Sequence, residues 1–517
     1  MIVGAGSAGC VLAERLSASH SVVLLEAGGD DRSPEVVVPA AFSKLFKTER
    51  DWNFSSEPEP AADGRSLYLP RGKMVGGSSG MNAMLYVRGR PSDYDGWAEA
   101  GATGWDWDTV LPVFREMESN SRGEDDFHGD SGPVRVEDQR APNPLSRRFV
   151  EAAIAAGIPP NRDFNGQDQE GVGFFQVTQR RGRRWSAADA YLKPALRRPT
   201  LELVTAAKAS RLIIEKETAR GVEYHSDGNV SRVEAEAGVI LAAGSYGSPH
   251  LLQLSGVGDP DHLAGVGIPV VVSSPEVGEN LQDHPIAGAM YESLLPGTLD
   301  DAENMVEMLR WLVLRRGRLT SPVAEAGAFV RSLPHMAEPD LQFYFGPVSF
   351  DNHGLEPFDG HAFTFGPLLL NPMSRGWVRA RDDDPTSSPA IQVNCLTERH
   401  DLDALIRGME IAADIAARGP LDPYRGRRIH PAPGVASQDE LANFIRGKVE
   451  LLYHPVGTCR MGSDDTAVVD PELRVNGVER LRVVDASVMP TITSGNTNAP
   501  TMMIAERAAR MILGDPG

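Results

Sequence analysis

The side chains best placed for chemistry lie in two stretches at opposite ends of the chain. Near the start, Gly4-Ala5-Gly6-Ser7-Ala8-Gly9 is followed by an acid, Glu26. Gly4 suits a tight turn, Gly6 lets backbone approach a pyrophosphate, and Gly9 lets a helix pack close to a strand, while Glu26 stands where a carboxylate accepts from ribose hydroxyls. The bare alternative is an ordinary strand-helix-strand crossover. Near the end come Leu452-Tyr453-His454-Pro455 and Gly495-Asn496-Thr497-Asn498-Ala499-Pro500-Thr501. An imidazole such as His454 can take up a proton near neutral pH. Read on its own, it is more readily a satisfied buried histidine before a proline. Asn498, two residues before Pro500, reads as a turn or helix-capping residue.

These residues need elements to position them. A strand from Met1 to Val3, a helix from Cys10 to Leu16 and a strand from Ser21 to Leu25 form the first unit, with only three residues ahead of Gly4. The run Pro70-Arg71-Gly72-Lys73-Met74-Val75-Gly76-Gly77-Ser78-Ser79-Gly80-Met81-Asn82, continuing through Ala83 and Met84, gathers backbone donors near one point and reads as a loop lining a phosphate or polar ring edge. Gly238 to Leu252 repeats the strand-turn-helix logic, with Ala243 and Gly244 at the turn and Pro249 in the first helical turn. Leu201–Thr205, Ser210–Glu215 and Arg232–Ala235 predict a small β-meander, and Phe174–Thr178 a further strand. Beyond residue 289, Leu341–Phe345, Ala362–Gly366 and Trp377–Ala380 read as an antiparallel sheet. Helices are expected over Asp106–Glu118, Phe149–Ala156, Met305–Leu314, Asp401–Ala417, Asp439–Glu450 and Met502–Met511.

The 517 residues, 41% hydrophobic and 24% charged, suit an enzyme of two or more domains. A net charge of -20 argues against nucleic acid or an anionic membrane as partner. Three scattered cysteines, Cys10, Cys395 and Cys459, argue against a disulfide framework or a thiolate metal site, and no metal is expected. No signal-peptide pattern precedes the first strand and no apolar run approaches bilayer length, so a cytoplasmic protein without a membrane span is expected.

With Arg482-Val483-Val484-Asp485-Ala486, these motifs follow one another from Met1 to about Leu513 in the order found in the glucose-methanol-choline family of flavin-dependent alcohol oxidoreductases, which the chain resembles. The resemblance implies an α/β fold: a Rossmann-like FAD-binding domain (1–150, 190–288 and 450–517) and a substrate domain (151–189 and 289–449) with a six-stranded antiparallel sheet backed by helices. It implies His454 as active-site base, Asn498 as its amide partner, Glu26 on the adenosine ribose, and Asp485 near the ribityl chain and pyrophosphate. Residues Gly4, Gly6, Ser7, Ala8, Gly9, Ala27, Arg71, Gly72, Val75, Gly76, Gly77, Ser78, Asn82, Ala83, Met84, Ala243, Gly244, Ala486, Asn496, Thr497 and Thr501 complete the implied cofactor site.

The implied reaction is oxidation of a primary alcohol to an aldehyde, with electrons passed to O2 or a quinone-like acceptor. A hydroxynitrile-lyase-like or photodecarboxylase-like activity on the same scaffold is the alternative. Some members hold flavin covalently through a histidine after the paired glycines; here the loop reads Ser78-Ser79-Gly80-Met81, so non-covalent FAD is expected. Glu325, Phe329, Tyr344 and Phe365 lie in the candidate substrate lobe, and Leu452 is a candidate beside the flavin edge. His250, His284, His353 and His361 read as structural. Monomer and homodimer both fit the sequence.

Overall fold

The computed structural model describes residues 1–356 and 358–514. Its first layer is a five-stranded parallel sheet in the order Leu481–Val483, Val239–Leu241, Ile2–Val3, Val22–Leu25 and Leu201–Val204. These strands are short and apolar because other elements bury them: helices, and also the antiparallel meander, whose Leu212, Ala219 and Val222 join the same cluster. Cys10, Val11, Leu12 and Leu16 of the helix Ser7–Leu16 join Met502, Met503 and Ala505 of the helix Asn498–Leu513 in one buried cluster with the strands.

The second layer is an antiparallel sheet. Its main path runs through six strands: Arg425–His430, Ala289–Ser293, Ala362–Leu369, Leu341–Gly346, Ala326–Val330 and Gly171–Phe174. Two short strands, Pro285–Ile286 and Glu450–Leu451, pair with each other, and the first also pairs with Leu368. Alternation along Leu341–Gly346 divides the faces. Phe343 and Phe345 turn toward the helices Pro144–Ala155 and Arg399–Ala416, while Tyr344 and Gly346 turn toward a large cavity between the two sheets. That division sets the back wall of the site.

Several sequence expectations shift. Leu201–Val204 is the edge of the parallel sheet rather than part of the meander, which consists of Lys208–Glu215, Thr218–Ser226 and Asn229–Glu234. An apolar alternating run satisfies either environment, and pairing with Val22–Leu25 decides it. The strand expected at Phe174–Thr178 is Gly171–Phe174. Trp377–Arg379 leaves the large sheet to pair with Ala390–Gln392. The helix Phe149–Ala156 begins earlier, at Pro144, capped by the Asn143 side chain. Pro249 lies inside the helix Gly244–Leu254 rather than in its first turn. The last helix starts at Asn498, four residues before the expected Met502, which places Asn498 within its first turn.

Candidate active site

Three helices begin along the cavity wall: Ser7–Leu16, Gly244–Leu254 and Asn498–Leu513. Each turns a positive dipole end toward the same space, the arrangement that holds phosphate, although the first N–H of the Gly244–Leu254 helix is already taken by Asp485. The turn before the first helix tolerates no side chain at Gly9, where a Cβ would stand 1.8 Å from the Gly4 carbonyl oxygen. The loop from Arg71 to Asn82 lies over this turn: Gly76 N–H donates to the Ala5 carbonyl at 2.8 Å and Val75 N–H to Gly29 at 2.9 Å. Gly77 has φ +50° and lies so close that a Cβ would come within 2.7 Å of the Gly6 Cα. Asp485 holds the second helix start, its carboxylate accepting from Gly244 N–H (2.9 Å), Ser248 Oγ (2.6 Å) and Ser487 N–H (2.8 Å). Glu26 accepts from Ala5 N–H and Gly28 N–H at 2.9 and 2.8 Å, and burial pushes its carboxyl up to about 7.

The cavity, about 660 Å³, runs from Glu26, Ala27 and Ala207 past these helix starts to His454. Of the residues expected to hold FAD, Gly4, Gly6, Ser7, Ala8, Glu26, Ala27, Arg71, Gly72, Gly77, Ser78, Asn82, Ala83, Met84, Ala243, Gly244, Asp485, Ala486, Asn496, Thr497 and Thr501 line it. Gly9, Val75 and Gly76 do not; they shape the turn and the loop behind it. An elongated cavity with an acid at one end and three helix starts midway fits a dinucleotide in shape and in donor set.

His454 sits at the far end, 8% exposed. Its backbone N–H and that of His284 both donate to Asp283 Oδ1, at 2.8 and 2.7 Å, which clamps the two segments side by side. The ring contacts assign every proton in sequence. The Leu370 carbonyl can only accept, so His284 carries its proton on Nε2, 3.0 Å away. His284 Nδ1 therefore accepts from His454 Nδ1–H at 2.9 Å. His454 Nε2 is left unprotonated and accepts from Asn496 Nδ2–H at 3.1 Å, and Tyr344 donates its hydroxyl to Asn496 Oδ1 at 3.3 Å. Burial above all, with the neighbouring His284 ring and the positive charge of Arg71 opposing a further proton, holds His454 well below the usual imidazole value. Burial likewise lowers His284 to about 3. Both rings are neutral at physiological pH. An unprotonated nitrogen beside an amide donor can accept a proton from a hydroxyl while the amide steadies the oxygen.

The expected pair is thus brought together differently. Asn496, assigned to the cofactor by sequence, reaches His454, whereas Asn498 Oδ1 accepts from Ser7 Oγ at 2.8 Å between two helix starts. Four of the helix's residues precede the expected start, and that one extra turn carries Asn498 round to the phosphate side. His284, read as structural, is the ring bonded to His454. His250 and His353 line the cavity, and His361 Nδ1 meets Thr298 Oγ1 at 2.7 Å. Glu325 is buried among Ser146, Ser321 and Asn143 and lies outside the cavity lining, as does Phe329; Tyr344, Phe365 and Leu452 line it. Only the adjacency of Asp283-His284 to a proline, at the end of one lobe, could have flagged His284 beforehand.

Comparison with known proteins gives the family of the chain. Residues 1–286 and 372–505 match the N-terminal and C-terminal sequence models of the GMC oxidoreductases. The chain is 43% identical over 532 residues to an alcohol dehydrogenase (acceptor) of Pseudomonas putida, covering 99% of this chain and 95% of that one. It is 43% identical over 523 residues to an oxygen-dependent choline dehydrogenase of Brucella suis biovar 1, with the same coverage. The crystal structure of pyridoxine 4-oxidase from Mesorbium loti superposes with a TM-score of 0.88 at 33% identity, covering 99% of this chain and 98% of that one. The chain belongs to the GMC oxidoreductase family and is an FAD-dependent oxidoreductase acting on CH–OH donors.

Proposed function

We propose that the protein oxidises a primary alcohol to the aldehyde, with His454 Nε2 as the base and Asn496 Nδ2 as the donor to the alcohol oxygen. The unprotonated Nε2 of His454, fixed by the His284 and Leu370 contacts, carries this reading. FAD, when bound, supplies the hydride acceptor. The substrate hydroxyl replaces the direct Asn496–His454 contact, donating to Nε2 and accepting from Nδ2–H, so the proton leaves oxygen as the C–H bond breaks. Because His454 Nδ1–H already points at His284, the proton taken from substrate has one place to reside, on Nε2. Asn496 keeps its amide orientation through Tyr344.

Phe42, Phe46, Val323, Val348, Phe350 and Leu452 contribute an apolar wall to the cavity. They favour an alcohol with an aliphatic or aromatic body over a sugar. Electrons pass onward to O2 or a quinone-like acceptor. FAD is held non-covalently, since Ser78-Ser79-Gly80-Met81 offers no histidine for attachment; all yellow colour should leave the protein on acid precipitation. Three buried free thiols suit a cytoplasmic setting.

The test is an anaerobic absorbance scan against aliphatic, benzylic and amino alcohols, followed by air. Bleaching by an apolar primary alcohol is expected, and fast or slow recovery in air separates oxidase from dehydrogenase. A flavin that stays yellow with all of them would refute the reading and turn attention to lyase chemistry.

A further inference from the structure

The helix Met305–Leu314 presents its apolar residues outward. Met305, Val306, Met308, Leu309, Leu312 and Val313 are 44% to 79% exposed and occupy one continuous arc of the helix. What faces inward is Trp311, whose indole donates to the Gly182 carbonyl at 2.8 Å, and Glu307, which accepts from Arg318 N–H and Arg310. The helix is therefore anchored with its greasy side in water, contrary to the usual arrangement of a surface helix.

Local charge runs against the acidic whole. The acids around the helix are engaged: Asp301 with Arg318, Glu303 with Lys44, Glu307 with Arg310. Arg315 stacks on Trp311 at 4.2 Å and Arg316 stands exposed, and among the described residues neither meets a carboxylate. The helix is a strip about 15 Å long and 10 Å across. A stable protein dimer takes roughly 800 Å² and about 20–30 residues from each partner, more than six side chains on one helix supply. An apolar arc edged by arginines is instead the pattern of a helix lying in the headgroup layer of a bilayer.

We propose that Met305–Leu314 docks the protein on a phospholipid surface, its apolar arc in the acyl boundary and Arg316 among anionic headgroups. The cluster beneath it, formed by Val38, Leu299, Trp311 and Leu319, packs against Val323 and Val348, which also line the cavity. Docking would thus set the apolar wall of the cavity one layer of side chains from the lipid. This does not depend on which alcohol is oxidised.

Flotation of the FAD-loaded protein with phosphatidylcholine vesicles, with and without phosphatidylglycerol, tests it. Binding is expected to both, tighter with phosphatidylglycerol. The double substitution Leu309→Glu and Val313→Glu, at exposed positions, should weaken partitioning by roughly a hundredfold, about ten for each residue, with flavin absorbance and reduction by a water-soluble alcohol unchanged. Arg316→Glu should remove the phosphatidylglycerol advantage alone. With the unsubstituted protein, vesicles should also slow tryptic cleavage after Arg315 and Arg316. Absence of flotation and of protection, or a dimer in solution that the double substitution splits, would overturn the proposal.

Discussion

The hydrogen-bond partners of His454 leave one nitrogen for chemistry, and that argument reaches back to a backbone carbonyl at Leu370. Replacing His284 should therefore matter although it touches no substrate. His284→Leu removes the acceptor for His454 Nδ1–H and lets the proton settle on Nε2, so anaerobic flavin reduction should fall on the order of tenfold to a hundredfold. His284→Asn, whose amide oxygen lies near the lost Nδ1, should recover much of the rate; equal loss in both would mean that His284 only fills space. The two asparagines should separate as well. Asn496→Ala should slow reduction roughly a hundredfold, as for a lost oxyanion donor. Asn498→Ala should loosen FAD, seen as flavin lost on gel filtration, with reduction of the bound fraction within a few-fold. His454 itself was legible in the sequence because its neighbours are a distinctive run. Its amide partner was not, since two asparagines two residues apart differ only in where a helix begins, which local sequence leaves open by a turn.

Among the elements, the glycine turn, the loop over it and the second strand-turn-helix were legible because close backbone approach demands glycine at fixed positions. Gly9→Ala should abolish FAD retention, as its Cβ would collide with the Gly4 carbonyl; a yellow, folded Gly9→Ala protein would contradict the packing described. Short apolar strands were less legible. Leu201–Val204 carries the same pattern as a meander strand, and only its distant partner Val22–Leu25 assigns it to the parallel sheet. The helix Met305–Leu314 was found to the residue, yet its periodicity said nothing of which side faces water, because burial belongs to the tertiary structure.

Across the whole molecule, a buried charge cluster beside the join between the layers ties stability to pH. Arg88 and Glu118 pair in the interior, and His128 bonds Glu118 at 3.1 Å and Asp163 at 2.8 Å. Burial opposes charge on His128, but the two carboxylates outweigh it and raise it to about 9. A raised histidine stabilises the fold fully below its unfolded value near 6.5, and that contribution is lost as pH climbs toward 9. Melting should fall by a few degrees between pH 6.5 and 9, and His128→Gln should flatten the slope; parallel slopes would remove His128 from the account. Catalysis has the opposite dependence. With His454 held below the ordinary imidazole value, its basic form dominates through neutrality and is lost only as pH falls below about 6.5. The deciding measurement is anaerobic stopped-flow reduction of the bound flavin by a bleaching alcohol, in the native protein and in His454→Gln across that range. A native rate level at neutral pH and declining only in acid, with His454→Gln lower by roughly a hundredfold or more at full flavin occupancy, is the expected result; a His454→Gln rate close to native would contradict the mechanism.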